Sequence, residues 1–579
     1  MSRFGCSDRL PCRASLDRTA GAAVPTWLFS QTDTLPLPLT TDNCSLLSLR
    51  VRQIHSSAWL LVVLSAVLQV LIFPLPGIYI FSWFALTPLI VALLRARPAG
   101  ELETADGVRL RPAAPGQAFL LAYVCGILWY AGTCYWIYDT MRQYGGLSAP
   151  MAALALFLFC CYLGIYHGLF GLLLSLLVKG SRDYRRALAT APFLWVAMEL
   201  ARTRVTGFPW NLLGIAQVDN VALCRIAEWT GVYGISLEIA LVNVAFAAAF
   251  LVPRQRRGAM LTAALAAAAV LQAGKLMEAP AAIADHAALL VQQNIPVSAD
   301  WTPVYFQRTL NELAELSVRS AASPGATEVD LVVWPESPAP FFDHDARFRN
   351  VISDVARQSG AWVVTGVIGT GSPRASGKTP LMFNSAVLVS PTGQWTARYD
   401  KVHLVPFGEY LPFPSLFSFA GGLTREVGEF GRGTSRKPLD AGGEQLGVFI
   451  CYESVFPDEV RQFAAQGAQV LVNISNDGWY GDSGAYAQHL NQTRMRAIEN
   501  HRWLLSATDT GVTASIDPWG RLAARIPRKE RTALIAPYAP TSVTTLYTRR
   551  GDWFAYACAI ISLGALVARL ALSKKPQEG

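Results

Sequence analysis

Apolar runs long enough to cross a bilayer constrain this chain before anything else does. A helix needs about 20 apolar residues to span the hydrocarbon core. About eight stretches approach that length, near 57–75, 77–95, 117–138, 150–178, 186–201, 232–252, 258–276 and 553–572. Seven of them precede a long segment of mixed polarity and one follows it. Soluble globular chains carry roughly a quarter charged residues. This chain of 579 residues is 16% charged and 52% hydrophobic, and its mean hydropathy is +0.30. The class that fits is a multi-pass α-helical membrane domain joined to one extramembrane domain.

Loop charges give an orientation. Arg50 and Arg52 precede the first span. Arg95, Arg97, Arg109 and Arg111 follow the second, and Lys179, Arg182, Arg185 and Arg186 follow the fourth. Arg254, Arg256 and Arg257 follow the sixth, and Arg569, Lys574 and Lys575 close the last. Every second loop is basic, the pattern of cytoplasmic loops. Both termini are therefore expected in the cytoplasm and the domain after the seventh span outside it. Arg202, Arg204, Arg225, Arg549 and Arg550 run against the rule, and some flank the extramembrane domain, where an anionic headgroup could sit. The net charge of +8 is thus a topology signal, and no basic stripe with interleaved aromatics points to nucleic acid. Ionisable residues within the spans are few and form no relay, which argues against a transporter.

Residues 1–55 hold no sustained periodicity and no apolar run of signal-peptide length, and are expected to form a disordered tail. The domain boundaries that follow are 56–280 for the first seven spans, 286–545 for the extramembrane domain and 551–573 for the eighth span.

Within 286–545 short β-branched runs alternate with helical patterns, an α/β or α+β arrangement. Strands are expected at 287–292, 331–334, 362–369, 385–389, 446–450 and 470–474, helices at 304–322, 345–358, 457–466 and 485–503, and a closing hairpin at 509–513 and 515–520. Of the ten cysteines, one alone, Cys451, lies between Lys275 and Tyr547. It cannot form a disulfide within its domain, and no Cys or His cluster has metal-ligand spacing, so no metal or cofactor is expected. Taken alone, such a cysteine is more often a small buried hydrophobe. Its context points elsewhere: Cys451 ends an apolar strand, as Glu336 ends Val332-Val333-Trp334-Pro335, and Lys401 follows a third strand. A thiol needs a base to ionise it, and the oxyanion of a tetrahedral intermediate needs positive charge. Glutamate and lysine supply both, so His403 and His489 are left with packing or hydrogen-bonding parts. The aromatic, Pro- and Gly-broken stretch 407–422 reads as a lid against the membrane or as a loop packed under its own domain. Two outer-loop motifs, 207–211 and 229–234, read either as an interfacial aromatic belt or as the wall of a lipid pocket.

These motifs occur in order along the chain: Val333-Trp334-Pro335-Glu336, Lys401 through Tyr410, Cys451-Tyr452-Glu453, Asn473 through Gly481, and Gln488-His489-Leu490 through Glu499. With seven spans before and one after, the chain from about 57 to 572 resembles the apolipoprotein N-acyltransferase family. Its extramembrane part resembles the nitrilase or carbon–nitrogen hydrolase superfamily. The resemblance implies an extracytoplasmic α/β domain built as a nitrilase-like αββα sandwich. It makes Glu336 the general base, Lys401 the oxyanion stabiliser and Cys451 the nucleophile. Glu409 becomes a supporting glutamate, Tyr452 and Glu453 flank the thiol, and Trp301 takes a substrate-contacting place. It further implies ping-pong acyl transfer in lipoprotein maturation. The donor would be a phospholipid, typically phosphatidylethanolamine, and the acceptor the amine of an S-diacylglyceryl-cysteine lipoprotein. The enzyme would be a monomer in the bacterial inner membrane with a periplasmic catalytic domain. The chain departs from the family pattern at Ser506 and Asp509, where arginine and asparagine are usual, and at Asn500-His501, which replaces a glycine-containing turn. Two other readings exist: a membrane-tethered hydrolase or amidase of another substrate, and a non-catalytic lipoprotein-binding scaffold. The complete triad argues against the scaffold.

Overall fold

In a computed structural model, residues 53–573 are described, except 101–108, 180–182, 279, 323–326, 337–338, 374–379 and 413–429. The expected tail, apart from its last three residues, and the main part of the expected lid lie outside the described residues.

The membrane part consists of α1 (Ser56–Leu71), α2 (Thr87–Leu94), α3 (Pro115–Thr133), α4 (Trp136–Gln143), α5 (Ala149–Leu176), α6 (Arg185–Ala201), α7 (Val232–Leu251) and α8 (Arg254–Ala273). Among the described residues five helical stretches are long and apolar enough to cross a membrane: Pro115–Thr133, Ala149–Leu176, Val232–Leu251, Arg254–Leu276 and Trp553–Ala571. The other three expected spans are helical but shorter. At 1.5 Å per residue, α1 reaches only about 24 Å. The second is broken into a 3₁₀ turn, Tyr79–Trp83, and α2. The fifth, α6, has 17 residues with Pro192 inside it and a buried Glu199. The third ends sooner than expected, at Thr133, and α4 begins three residues later. Leu60, Phe157, Leu158, Val270 and Ile560 face outward, an apolar surface that water would penalise and lipid would not.

The second part holds two six-stranded sheets. The first is formed by β1 (His286–Gln292), β2 (Leu331–Val333), β3 (Trp362–Pro373), β4 (Pro380–Val389), β5 (Trp395–Asp400) and a late strand, Thr532–Tyr538. The second is formed by β6 (Leu439–Ala441), β7 (Glu444–Ile450), β8 (Val470–Ser475), β9 (Leu504–Thr508), β10 (Thr513–Ile516) and β11 (Leu522–Ile526); the late strand is β12. The strand orders are β12-β1-β2-β3-β4-β5 and β11-β10-β9-β8-β7-β6. Both centres are parallel: β1, β2 and β3 run together, as do β7, β8 and β9.

The two-residue period of a strand sorts its side chains into layers. Leu289 and Val291 of β1, with Val332 of β2, pack on Phe306, Leu310 and Leu313 of α9 (Pro303–Ala321) and on Phe348 and Ile352 of α10 (Ala346–Ser359). Their neighbours Ala288, Leu290, Leu331 and Val333 share a core with Leu446, Val448, Ile450 and Leu471 of the second sheet. That sheet is covered by α11 (Pro457–Ala465) and α12 (Ala485–Asn500) through Val460, Phe463, Met495 and Ile498. The order of layers is α-β-β-α. Each fully buried Leu, Val or Ile here contributes roughly 1.5–3 kcal/mol.

The expected closing hairpin is displaced. The observed hairpin pairs β9 with β10, Leu504 opposite Ile516, and residues 509–512 form its connection. A second turn at Asp517–Arg521 leads into β11. Every residue of β9 and β10 is buried, so Ser506 and Thr508 give no polar-out alternation and the strand is hidden from a periodicity reading. The helix α12 stops at Asn500 rather than 503, because His501 takes the left-handed conformation (φ 50°) in which helices end.

The last helix, α13 (Trp553–Ser573), returns to the membrane part. Several polar contacts join the two parts. Trp210 Nε1 and Asn211 Nδ2 donate to Gln488 Oε1 at 2.6 and 3.1 Å, and Gln488 Nε2 donates to the Pro74 carbonyl at 2.6 Å. Arg204 pairs with Asp458 at 3.0 Å and with Asp552 at 2.6 Å. Trp210 is therefore buried against the sandwich, whereas Trp229 of the other outer-loop motif is exposed and accepts from Trp553 Nε1 at its carbonyl.

Candidate active site

Parallel strands present their carboxyl ends at one edge of a sheet, where α/β proteins build their sites. Here two such edges meet. Glu336 follows β2 in the first sheet, and Cys451 and Asn476 follow β7 and β8 in the second. The Asn476 N–H donates to Glu336 Oε2 at 2.9 Å, a bond between the sheets. Lys401 follows β5 at the far edge of the first sheet and reaches back under burial; its side chain is 1% exposed.

The lysine ammonium lies 2.9 Å from Glu409 Oε1 and 3.3 Å from Glu336 Oε1. Asn384, on β4, bridges the same two carboxylates: its Nδ2 donates to Glu336 Oε1 at 2.7 Å and to Glu409 Oε1 at 2.6 Å. The second oxygen of Glu409 accepts from the Val405 N–H at 2.7 Å. A tight turn makes that possible, with Phe407 at φ 63° and its N–H bonded to the Tyr410 carbonyl. Burial alone would lower the lysine pKa, but the Glu336 and Glu409 carboxylates outweigh it and raise it above the ordinary lysine range. Lys401 is thus a fixed cation. Two carboxylates and one ammonium sum to one negative charge.

Cys451 opens a short 3₁₀ turn, Cys451–Val455, at φ 50°. That conformation costs a non-glycine residue on the order of 1–3 kcal/mol and persists only when its surroundings enforce it. Glu453 supplies much of the enforcement. Its Oε2 accepts from the Ile450 N–H at 2.8 Å, and its Oε1 accepts from Tyr399 OH and the N–H groups of Val402 and His403 at 2.8, 2.8 and 3.0 Å. One carboxylate therefore ties the cysteine's elbow to the strand and loop that carry Lys401. Burial pushes the Glu453 carboxyl above its ordinary value against the pull of these donors. Burial also pushes the Cys451 thiol well up, helped by the Glu336 charge and opposed by Lys401. The resting sulfur is a thiol.

Tyr452 lies 5.1 Å from Phe456 and 5.8 Å from His403 by ring centroids, and its hydroxyl donates to the Gly207 carbonyl of the membrane part at 3.4 Å. Tyr480 meets Trp136 and Trp210 edge-on at 5.2 and 5.7 Å, so aromatic rings of both parts wall the elbow. Of the expected residues, Glu336, Lys401, Cys451, Glu409, Tyr452 and Glu453 come together. Trp301 is half-buried; among the described residues it packs with the α9–α10 side of the first sheet and lies 5.0 Å from Tyr305. His403 bonds Glu459 at 2.9 Å and lies against Phe456, a packing and hydrogen-bonding part as expected. Asn384 was not anticipated. Its one sequence signal is the pair Asn384-Ser385 inside the apolar run 381–389.

Asn384→Leu removes a donor shared by two charged acceptors, each such bond contributing roughly 1.5–3 kcal/mol. The rate of Cys451 acylation is expected to fall about 10–100-fold, measured as single-turnover thioester formation; an unchanged rate would show that Lys401 alone orders the carboxylates.

Comparison with known proteins accords with this geometry. The family model described as carbon-nitrogen hydrolase matches residues 268–547, and the model for the apolipoprotein N-acyltransferase N-terminal domain matches residues 65–245. An apolipoprotein N-acyltransferase of Geobacter metallireducens is 35% identical over 526 residues, 89% of this chain and 96% of that one. Another, from Methylococcus capsulatus, is 33% identical over 473 residues, 81% of this chain and 90% of that one. A solved amidase from Nesterenkonia sp. is 20% identical, covers 48% of this chain and 99% of its own, and superposes with a TM-score of 0.34, a likeness on which nothing further rests. Because both models match in order along one chain, and relatives of this similarity span nearly all of it, the chain belongs to the apolipoprotein N-acyltransferase family.

Proposed function

We propose that this protein moves an acyl chain from a phospholipid to the N-terminal amine of an S-diacylglyceryl-cysteine lipoprotein, through a thioester on Cys451. The observation that carries the reading is the Glu336–Asn384–Glu409–Lys401 cluster beside a strained cysteine elbow, in a chain whose other part has spanning helices. Glu336 takes the thiol proton as sulfur attacks the ester carbonyl. Lys401 stabilises the oxyanion. Collapse expels the lysophospholipid alkoxide, which takes the proton back from Glu336. The acceptor amine then attacks the thioester, Glu336 receives its proton, and the thiolate leaves and is reprotonated. Glu409 and Asn384 hold the base and the cation in register, and Glu453 and Tyr452 hold the elbow.

Residues 56–280 serve as the membrane domain, 286–545 as the catalytic domain and 551–573 as a closing anchor. The alternation of basic loops supports a bacterial inner-membrane enzyme with both termini cytoplasmic and the catalytic domain periplasmic. Phosphatidylethanolamine is the donor we favour, and Trp301 a contact for the incoming substrate. A membrane-tethered hydrolase would share the first step and differ in the second, where water replaces the amine.

Purified protein given phosphatidylethanolamine labelled in its acyl chain is expected to carry the label on the Cys451 peptide, released by hydroxylamine. A diacylated lipopeptide should then take the label as an amide. Label appearing only as free fatty acid would assign the hydrolase instead.

A further inference from the structure

His489 is 1% exposed, on α12, and both of its ring nitrogens face oxygen. Nδ1 lies 3.1 Å from Asp477 Oδ1. Nε2 lies 3.1 Å from the backbone carbonyl of Cys451 and 2.8 Å from Ser454 Oγ. The carbonyl can only accept. Asp477 Oδ1 accepts as well, since it also receives the Ser475 hydroxyl at 2.7 Å. A neutral imidazole carries one N–H and one lone pair. With the proton on Nε2 a lone pair faces the Asp477 carboxylate; with the proton on Nδ1 the Ser454 hydroxyl can donate to Nε2, but that lone pair still sits 3.1 Å from the Cys451 carbonyl oxygen. Only a ring with two N–H groups donates to both the carboxylate and the carbonyl.

We propose that His489 is a standing imidazolium, fixed by Asp477, that grips the carbonyl of the nucleophile and makes ionisation of the Cys451 thiol easier. It is a positioning residue with an electrostatic part, not the base. The inference rests on the assignment of Cys451 as nucleophile. Glu453 holds the residue before the cysteine through the Ile450 N–H, and His489 holds the cysteine's own carbonyl; the strained residue is held from both sides. Burial disfavours a charged ring, but Asp477 more than offsets that and keeps the pKa above the ordinary histidine value. The charged and titratable groups facing the ring are Asp477 after β8, Glu336 after β2, Cys451 itself and Tyr480, whose ring centroid is 5.6 Å away. The Trp210 ring lies parallel to it at 6.2 Å and 8°, a cover contributed by the membrane part.

The charge matters because passing the thiol proton to Glu336 moves the cluster's negative charge onto sulfur at the elbow. A cation beside the elbow lowers that cost, as cationic neighbours do for reactive thiols.

The test uses the full-length protein in detergent. His489→Gln keeps a donor for the Cys451 carbonyl and abolishes the charge; Asp477→Asn keeps the ring and removes its carboxylate. Alkylation of Cys451 by iodoacetamide is followed against pH by mass spectrometry of its peptide. Losing a nearby cation raises a thiol pKa, so the alkylation midpoint should move to higher pH, by about 1–3 units for His489→Gln, and by less for Asp477→Asn, which also removes a carboxylate that itself pushes the thiol up. Thioester formation near neutral pH should slow about 10–100-fold in His489→Gln and recover as pH rises. An unshifted alkylation profile in a folded His489→Gln protein overturns the proposal, since a neutral donor would then suffice. Nitrogen NMR of isotope-labelled histidine in the unsubstituted protein should contain a ring with both nitrogens protonated at about pH 8, well above the ordinary histidine pKa; the absence of such a ring overturns it as well. A shifted profile with hydrolysis in place of amide formation would leave His489 standing while refuting the transferase reading.

Discussion

Cys451→Ala is expected to form no acyl-enzyme and to transfer no acyl chain to a diacylated lipopeptide, a loss on the order of 10⁴-fold or more. Removal of the nucleophile leaves only the binding and electrostatic contributions of the site, and those cannot substitute for a covalent intermediate. Cys451→Ser should be nearly as inactive. A hydroxyl is far less acidic than a thiol, and a carboxylate such as Glu336 is too weak a base to compensate. The alanine protein should nevertheless fold. The cysteine side chain is small, its strained backbone is held by Glu453 and His489 rather than by the sulfur, and alanine meets the same φ restriction. Unfolding measured by intrinsic fluorescence should therefore move by only a few degrees, roughly the effect of 1 kcal/mol. Purified Cys451→Ala protein that still triacylates the peptide would refute the thioester route outright.

The sequence reading was strongest where chemistry and local pattern coincide. Glu336, Lys401 and Cys451 each end or follow an apolar run, and strand ends are where such side chains can be gathered, so their convergence could be expected without coordinates. Glu409 and Glu453 lie within the same motifs. Asn384 does not: it sits inside a strand, and only the register of β4 against β5 reveals that its amide spans two carboxylates. His489 was visible but reduced to a hydrogen-bonding residue, because its partners Asp477 and the Cys451 carbonyl come from different elements and meet only in three dimensions. Spans were legible from hydropathy, yet hydropathy is blind to what interrupts a helix, and the stretch 77–95 divides at Trp83 while α6 contains Pro192. The displaced hairpin has the same origin as the unpredicted β12: buried or edge strands lack the alternation on which a strand reading depends.

Lys401→Met should be the most damaging substitution for stability and among the most damaging for rate. It leaves Glu336 and Glu409 facing each other across the single amide of Asn384 with no cation between them. Breaking a buried ion pair by removing one partner costs roughly 3–5 kcal/mol, a substantial part of a domain's stability. Catalysis should fall on the order of 10³-fold, the effect of losing a principal oxyanion stabiliser. Stability and rate can be separated by a second change. In Lys401→Met/Glu409→Gln one of the two opposed charges is gone, so part of the lost stability should return, a coupling of roughly 0.5–3 kcal/mol in a double-mutant cycle. Thioester formation should not return with it, because glutamine places no positive charge at the oxyanion. Thermal unfolding and single-turnover acylation, measured on the same four proteins, read the two effects independently. Recovery of rate along with stability would mean that Lys401 only holds the carboxylates apart, and the oxyanion would then need another partner.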